Sequence, residues 1–474
     1  MATAKPKKII SQETFNECVR ENMEEFDMLE ADAIADAIAQ FESQGVDLSA
    51  TVKGLDVVHP VVEALQAIQY ASGDVSVHLL ALQEQFRSVE DGVAAKELAG
   101  RNQGPSILLD QLSTTTHDAR TKIQLLLTLQ SMVTGVKDNQ NAVGEHGTAL
   151  IYDTFLSSND VETQDAALGS FKAICARNER TKKLLTTHGV VARLVELFQE
   201  RDGGTKSTKP FAELIRVLTI HDDSDSIFSQ THDIVKAFVE KGLIELIVPS
   251  IRRSSPPEAT WLAVLKQVAI TEDNCKKLVA AGILDLVHLH KDDRALLTHS
   301  LGLLRNLAAV DEYKSVVTST SMEWILATMA QNPTEVQIQT TACATIAAVC
   351  LRSPANCTSV AQLGAHRWIG SAMVQSSSNI SLLRQASLAI RNMVVRNPEL
   401  RQVVLEDPVV EKQLRNAMPL RGCGDEAYAA LRDLGADVPL ASIGQSHANF
   451  NPVMESSSQL MSTIQENAHA PFED

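Results

Sequence analysis

The feature that most constrains this chain is an internal period near 42 residues. From residue 104 onward, a Gly, a Pro or another small residue recurs directly ahead of an apolar helical segment. The spacings between successive occurrences are 43, 42, 53, 40, 39, 43 and 44 residues. A period in this range is typical of helical repeat arrays, in which each unit buries its apolar surface against its neighbours. The recurring positions are Gly104, Gly147, Gly189, Gly242, Gly282, Ser321, Gly364 and Pro408.

Each unit repeats the same internal order. A first helix follows the recurring residue, a polar break ends it, and a longer helix comes next. In the long helix predicted over 296–309, apolar residues cover well over half of the circumference, so neighbours must pack it on two sides. A short third segment then leads to the next Gly, where a left-handed residue lets the chain turn into the following helix. The other long helices are predicted over 164–177, 336–351 and 382–396.

Two of the long helices carry a recognisable motif. Leu303-Leu-Arg-Asn-Leu-Ala308 and Ala389-Ile-Arg-Asn-Met-Val394 resemble the armadillo repeat family. The segments 11–26 and 41–48 are similar to the N-terminal region of one member of that family. The resemblance covers about 104–435 in eight units and implies an all-α, armadillo/HEAT-like α-solenoid wound as a right-handed superhelix.

The same patterns divide the chain into four predicted regions. An acidic helical segment occupies 1–50, and capping helices follow in 51–103, at about 60–71, 75–89 and 91–101. The array spans 104–435, and its one 53-residue spacing marks an insertion at about 221–233. A disordered tail, rich in Ser, Asn and Gln, is predicted over 436–474.

Negative charge is concentrated at the ends of the chain. The net charge is −17, which argues against a general nucleic-acid binder, because phosphate contacts need a basic face. Residues 13–47 hold eleven Asp or Glu and one basic residue, Arg20, with apolar residues at helical spacing and a helix stop at Gly45. This segment has two interpretations: a polar cap on the first repeat, which we favour, or an acidic cover that regulates access to a groove.

The resemblance also implies a binding groove lined by the long helices. In that family a recurring Asn binds the backbone of an extended peptide, because an amide side chain both donates and accepts. Here only Asn306 and Asn392 keep that residue among eight aligned positions. The family's import receptors place a Trp one turn earlier, where this chain has Gly302 and Leu388. Recognition of import signals by that arrangement is therefore disfavoured.

The residue directly before the aligned Asn position is basic in six of the eight units. Guanidinium groups pair with carboxylates and phosphates in a bidentate manner, so this column predicts a groove for an acidic or phosphorylated segment. The alternative is that these side chains only solvate a helix face or cap nearby carbonyls, and the sequence leaves both open. The predicted groove residues are Lys172, Arg216, Lys266, Arg305, Asn306, Arg391, Asn392 and Arg432.

No catalytic constellation is visible. The sequence contains no Walker loop, dinucleotide-binding glycine motif, HExxH, GxSxG or CxxC pair, so we predict no enzyme activity, no cofactor and no metal site. The insertion holds Asp222, Asp223 and Asp225 between two histidines, but in no closed zinc or EF-hand spacing, which favours a solvated loop. Cys343, Cys350 and the five other cysteines are expected as reduced thiols.

These observations favour a non-enzymatic scaffold or adaptor that binds a protein segment in its groove. The alternative is a transport-type receptor that recognises a localisation signal. We expect a protein or peptide partner, a monomer, and a location in the cytoplasm, with the nucleus as a second compartment. We expect no small-molecule substrate, no nucleic acid and no membrane insertion, since no run of about 18 apolar residues occurs.

Overall fold

The computed structural model describes residues 8–48, 51, 53–55, 58–71, 73–89, 91–115, 117–187, 189–201, 207–253, 258–288 and 293–438. In these ranges the chain forms 26 α-helices and two short strands. It divides into a first unit, Met1–Arg193 with Glu213–Ile234, and a second unit, Leu194–Ala212 with Val235–Asp474. Most of the predicted disordered tail, 439–474, lies outside the described residues. The division into four regions stays a prediction.

The N-terminal segment forms a helical hairpin with its own small core. Its elements are β1 (Lys8–Ile9), α1 (Gln12–Glu25), α2 (Glu30–Ser43) and β2 (Val46–Asp47), with β1 and β2 paired in parallel. Ser11 begins α1, because its hydroxyl accepts a hydrogen bond from the backbone N–H of Thr14. Gly45, at φ +73°, ends the turn after α2, as predicted. The shared core consists of Phe15, Val19, Ala33, Ala37 and Leu48.

The rest of the first unit is built from helices that pack side by side. Here α7 packs between α4 and α9, and α6 packs on α8. The three helices predicted between residues 60 and 101 are confirmed. The division between the units crosses α11, α12 and α13. The elements are α3 (Pro60–Gln69), α4 (Ser76–Arg87), α5 (Gly92–Arg101), α6 (Gly104–Ser113), α7 (Ala119–Val133), α8 (Lys137–Ser157), α9 (Val161–Cys175), α10 (Glu179–Thr187), α11 (Val190–Arg201), α12 (Lys209–Leu218) and α13 (Thr231–Glu240).

The second unit continues the same order. Its elements are α14 (Leu243–Arg253), α15 (Ala259–Val268), α16 (Glu272–Ala280), α17 (Ile283–Leu286), α18 (Arg294–Ala308), α19 (Asp311–Gln331), α20 (Val336–Cys350), α21 (Pro354–Gln362), α22 (Ala365–Gln375), α23 (Ile380–Val394), α24 (Leu400–Leu405), α25 (Pro408–Ala417) and α26 (Gly424–Leu434). The long helices α15, α18, α20, α23 and α26 pack consecutively. The prediction that neighbours pack each long helix on two sides is confirmed for α18, α20 and α23.

The polar breaks of the sequence are the N-caps of the long helices. In each case the side chain accepts a hydrogen bond from the backbone N–H three residues later, at 2.8–2.9 Å. Such caps satisfy N–H groups that the first turn leaves without a helical partner. The capping residues are Asp118, Asp160, Asp293 and Asn379, which begin α7, α9, α18 and α23.

The recurring glycines end helices at most of the predicted positions. Gly189, Gly242, Gly282 and Gly364 all have φ between +72° and +84°, in the left-handed region that favours glycine. The expectation is wrong at Gly147, which lies inside the 21-residue helix α8. A Cβ there would stand 2.7 Å from Leu109 Cδ2, so this glycine permits close packing of α6 on α8. Ser321 likewise lies inside the continuous helix α19.

Replacing Gly364 by Ala tests the left-handed helix ends. We expect Gly364→Ala to lower the free energy of unfolding by about 1–2 kcal/mol, because its φ is +76° while no atom crowds the site. Gly364→Asn should lose less, since Asn tolerates this conformation better. Gly73→Ala is the control, because Gly73 has equally open surroundings and no positive φ. Urea denaturation measures all three; equal losses for Ala and Asn would contradict the interpretation.

Candidate functional site

The predicted groove residues all lie on long helices, and none of them is buried. Two belong to the first unit, Lys172 on α9 and Arg216 on α12. The other six belong to the second unit, where consecutive packing of the long helices brings their positions onto neighbouring elements. These six are Lys266 on α15, Arg305 and Asn306 on α18, Arg391 and Asn392 on α23, and Arg432 on α26.

The two asparagines connect neighbouring long helices. Asn306 Nδ2 donates to the backbone oxygen of Lys266 at 2.9 Å, and Asn392 Nδ2 donates to that of Ala347 at 2.9 Å. Each acceptor lies on the preceding long helix, at the position that is basic in most units. These amides therefore stabilise the array, and a peptide backbone would have to compete for them or use their remaining hydrogen-bonding capacity.

Half of the six basic groove side chains already have a carboxylate partner. Lys172 Nζ lies 2.7 Å from Glu213 Oε2, and Glu213 is on the long helix of the following unit. Arg391 Nε and Arg432 Nη2 both contact the Asp433 carboxylate, at 3.1 and 2.9 Å. Partly exposed pairs of this kind contribute about 0–1 kcal/mol each. They nonetheless neutralise three of the positive charges that were predicted to bind an acidic ligand.

Two further ion pairs join residues that lie one repeat apart, as Lys172 and Glu213 do. Arg294 on α18 contacts Glu335 at 2.9 Å, directly before α20, and Arg384 on α23 contacts Glu426 on α26 at 2.7 Å. In each pair the carboxylate lies 41 or 42 residues after the cation, which is one repeat. Sequence reasoning missed these pairs, although a basic residue followed one period later by an acidic one is a signal that the alignment of repeats contains.

Arg305 differs from its paired counterparts. Its Nε and Nη2 atoms lie 3.4 Å from the Asn306 side-chain oxygen, and it has no carboxylate contact within the described ranges. Loss of hydration among the packed helices lowers the pKa of the Arg305 guanidinium from its ordinary value. An arginine stays charged in proteins, so an arriving anion would gain both a charge interaction and hydrogen bonds.

Small residues surround this arginine. Gly302 lies one turn before it on α18, and a Cβ there would stand 2.8 Å from Cδ of Lys266. The glycine thus makes room for the Lys266 side chain against this part of α18. Thr341 Cγ2, on α20, lies 4.0 Å from the same point.

The insertion is held in place rather than solvated along its first half. Asp222 Oδ2 and Asp223 Oδ2 each accept, at 3.0 Å, a backbone N–H at the start of α10, those of Arg177 and Glu179. Lys137 Nζ also contacts Asp223, at 2.7 Å. The expectation of a solvated loop is wrong here, because the partners lie 44 to 86 residues away in sequence. No metal-binding group of three or more such side chains occurs in the part of the chain that the structure describes.

The cysteine side chains of α20 are buried. Cys343 and Cys350 are at most 1% exposed, and burial raises the pKa of the Cys343 thiol to about 12. A thiol in this state is a poor nucleophile at neutral pH.

Across the described residues, no helix is both long and apolar enough to span a bilayer.

Comparisons with known proteins agree with this architecture. A family model described as the armadillo repeat-containing protein 6 N-terminal domain matches residues 7–76, which include the helical hairpin. Armadillo repeat-containing protein 6 of Homo sapiens is 27% identical over 380 residues, 74% of this chain and 75% of that protein. The Drosophila melanogaster homolog is 24% identical over 326 residues, 65% of this chain and 69% of that protein.

A solved structure supports the fold. The crystal structure of an engineered protein from a structural genomics consortium is similar to this chain, with a TM-score of 0.63 at 16% identity. The match covers 80% of this chain and 100% of that one. The predicted all-α armadillo-like fold is confirmed.

The role of Asn306 in packing can be tested by its removal. Asn306→Ala leaves the Lys266 carbonyl without its side-chain donor, so we expect the free energy of unfolding to fall by about 1 kcal/mol. Ser381→Ala is the control, because Ser381 is exposed on α23 and its loss should change stability by less than about 0.5 kcal/mol. Chemical denaturation measures both variants. Unchanged stability of Asn306→Ala would show that the amide has no part in holding α18 to α15.

Proposed function

We propose that this chain is a member of the armadillo repeat-containing protein 6 family and a non-enzymatic scaffold that binds an extended protein segment along the exposed sides of its long helices. The armadillo repeat fold is generally a protein-binding scaffold, and its families are typically non-enzymatic. Repeat arrays suit this role, since stacked units present similar side chains at a regular spacing along one surface.

The observation that carries the proposal is the state of Arg305. Three counterparts in the basic column have carboxylate partners, whereas Arg305 contacts only an amide oxygen among the described residues. An acidic or phosphorylated side chain would supply the partner that the fold does not provide. We therefore propose that the bound segment is acidic or phosphorylated and places an anionic group on Arg305.

The paired positions support a secondary role for the rest of the column. A ligand anion at Arg391 or Arg432 must compete with Asp433, whose side chain is only 11% exposed and lies against both guanidinium groups. At Lys172 it must compete with Glu213. The proposed site is thus centred on Arg305 in the second unit, and Arg391 and Arg432 of the same unit contribute weaker, longer-range attraction.

The alternative, a receptor for basic localisation signals, has less support. A basic segment needs carboxylates on the exposed side of the long helices. Glu335, Glu426 and Asp433 are in ion pairs with arginines of this chain, and Glu213 is paired with Lys172. A basic peptide would have to displace those arginines, whereas an anionic one meets Arg305 directly.

Peptide arrays with matched glutamine variants test the proposal. The full chain is titrated with fluorescent 15-residue peptides in acidic, phosphorylated, neutral and basic sets. We expect binding in the acidic or phosphorylated set, and Arg305→Gln to weaken it at least tenfold, about 1.4 kcal/mol, because the anion loses its guanidinium partner. Arg391→Gln is the control and should weaken it less than threefold, since Arg391 is already neutralised by Asp433.

Three results would overturn this function. Binding confined to the basic set would favour the localisation-signal receptor. Equal losses of peptide affinity for Arg305→Gln and Arg391→Gln would show that Arg305 is not the main contact of the anionic group. Failure of every peptide set to bind would exclude an extended segment as the ligand.

A further inference from the structure

The second half of the insertion exposes two adjacent large apolar side chains. Ile227 is 91% exposed and Phe228 is 85% exposed, in the first unit between α12 and α13. Single apolar residues on a surface are common and need no explanation. An isoleucine and a phenylalanine side by side at the tip of a loop are different, because together they present roughly 300 Å² or more of apolar surface to water.

This tip is fixed on its N-terminal side by a buried lysine. Lys182 is fully buried, and its Nζ atom donates to the Asp222 carboxylate at 2.5 Å and to the Ile220 carbonyl at 2.6 Å. Because a buried charge without partners is costly, these contacts hold the start of the loop firmly against α10. The bonds from Asp222 and Asp223 to backbone N–H groups add to this attachment.

The tip is fixed on its C-terminal side by the same cluster. Glu179 accepts from Lys182 through Oε1, and through Oε2 from the Ser229 hydroxyl at 3.0 Å and the Gln230 backbone N–H at 3.3 Å. Within the loop, the Ser226 hydroxyl donates to the Phe228 carbonyl at 2.7 Å. One carboxylate thus connects both ends of the segment that carries the two apolar residues.

Such anchoring has a consequence for binding. A loop that is already held in one conformation loses little conformational entropy when a partner covers it. Aromatic and large aliphatic side chains that enter a pocket commonly dominate the energy of protein interfaces. The structure therefore combines an exposed apolar tip with the preorganisation that makes such a tip effective.

We propose that residues 221–230 form a docking loop, whose Ile227 and Phe228 side chains enter an apolar pocket of a partner protein with a basic rim. The basic rim follows from Asp225, whose side chain is 77% exposed next to the tip and only partly offset by Lys137 at 2.9 Å. This contact belongs to the first unit and does not depend on Arg305, which belongs to the second unit.

Charge argues against two other occupants. The exposed Asp225 carboxylate lies next to the tip of a chain of net charge −17, which opposes its approach to an anionic bilayer. In a second copy of the chain, the cavity of about 280 Å³ beside Trp324 is lined by Glu323 and therefore lacks a basic rim. A different protein with a basic rim avoids both conflicts.

Site-specific crosslinking identifies the occupant. The full chain carries p-benzoylphenylalanine at position 228 or, as the control, at position 89, where Val89 is fully exposed outside the docking loop. After irradiation in native cells, we expect a protein crosslinked from 228 and not from 89. Capture alone does not count as support, so the captured protein is then purified and titrated with the full chain.

The titration decides the proposal. We expect Phe228→Ser to weaken binding at least tenfold and Phe228→Leu to retain most of it, because an apolar pocket accepts another large apolar side chain. Val89→Ser should change affinity less than twofold, and Arg305→Gln should leave it unchanged, which separates this contact from the proposed groove. Asp225→Asn should weaken binding about threefold at low salt. Unchanged thermal unfolding of Phe228→Ser confirms that the variant folds.

Four outcomes would overturn the docking loop. These are crosslinks from 228 that go only to a second copy of the chain, crosslinks that go only to lipid, no crosslink beyond that from 89, and a captured protein that binds Phe228→Ser as tightly as the unchanged chain. If only Arg305→Gln weakens binding, the captured protein binds at the proposed groove, which is a case of the fourth outcome.

Discussion

Apolar packing between consecutive long helices is the constraint on which the rest of the structure depends. Each of α18, α20 and α23 contacts a long helix on both sides, so apolar residues must cover most of its circumference. Only part of each helix remains exposed, and no arginine of α18 or α23 is buried. Because successive helices pack in the same way, these exposed parts recur one repeat apart. The candidate binding surface is a by-product of that packing.

The exposed parts of the long helices also contribute to the cohesion of the array. Amide and charged side chains on them reach the next or the preceding long helix, as Asn306 does to Lys266 and Arg391 does to Asp433. Residue types that would serve a peptide ligand are therefore partly engaged by the protein itself. Arg305 differs from Lys172 and Arg391 because α20, the next long helix, carries Ala344 and Ala348 at the positions that correspond to Glu213 and Asp433.

The insertion illustrates how a buried charge shapes a loop. Lys182 lies inside the first unit and needs acceptors, and the insertion supplies the Asp222 carboxylate and the Ile220 carbonyl. The loop is thus a structural part of its repeat as well as the proposed carrier of Ile227 and Phe228. An added segment that only solvated a surface would have no reason to be fixed at both ends by Glu179.

The sequence by itself determined the elements that depend on nearby residues. The predicted helix at 296–309 is α18, 294–308, because a cap such as Asp293 and an apolar period act within a few turns. Tertiary structure decided what depends on distant residues. Gly147 lies inside a helix and contacts Leu109 on α6, which the local sequence does not show. Whether a basic groove side chain is paired within the chain or available to a ligand depended on carboxylates about 41 residues away. These pairings depend on the distances between side chains on neighbouring packed helices, and a local sequence pattern does not contain those distances.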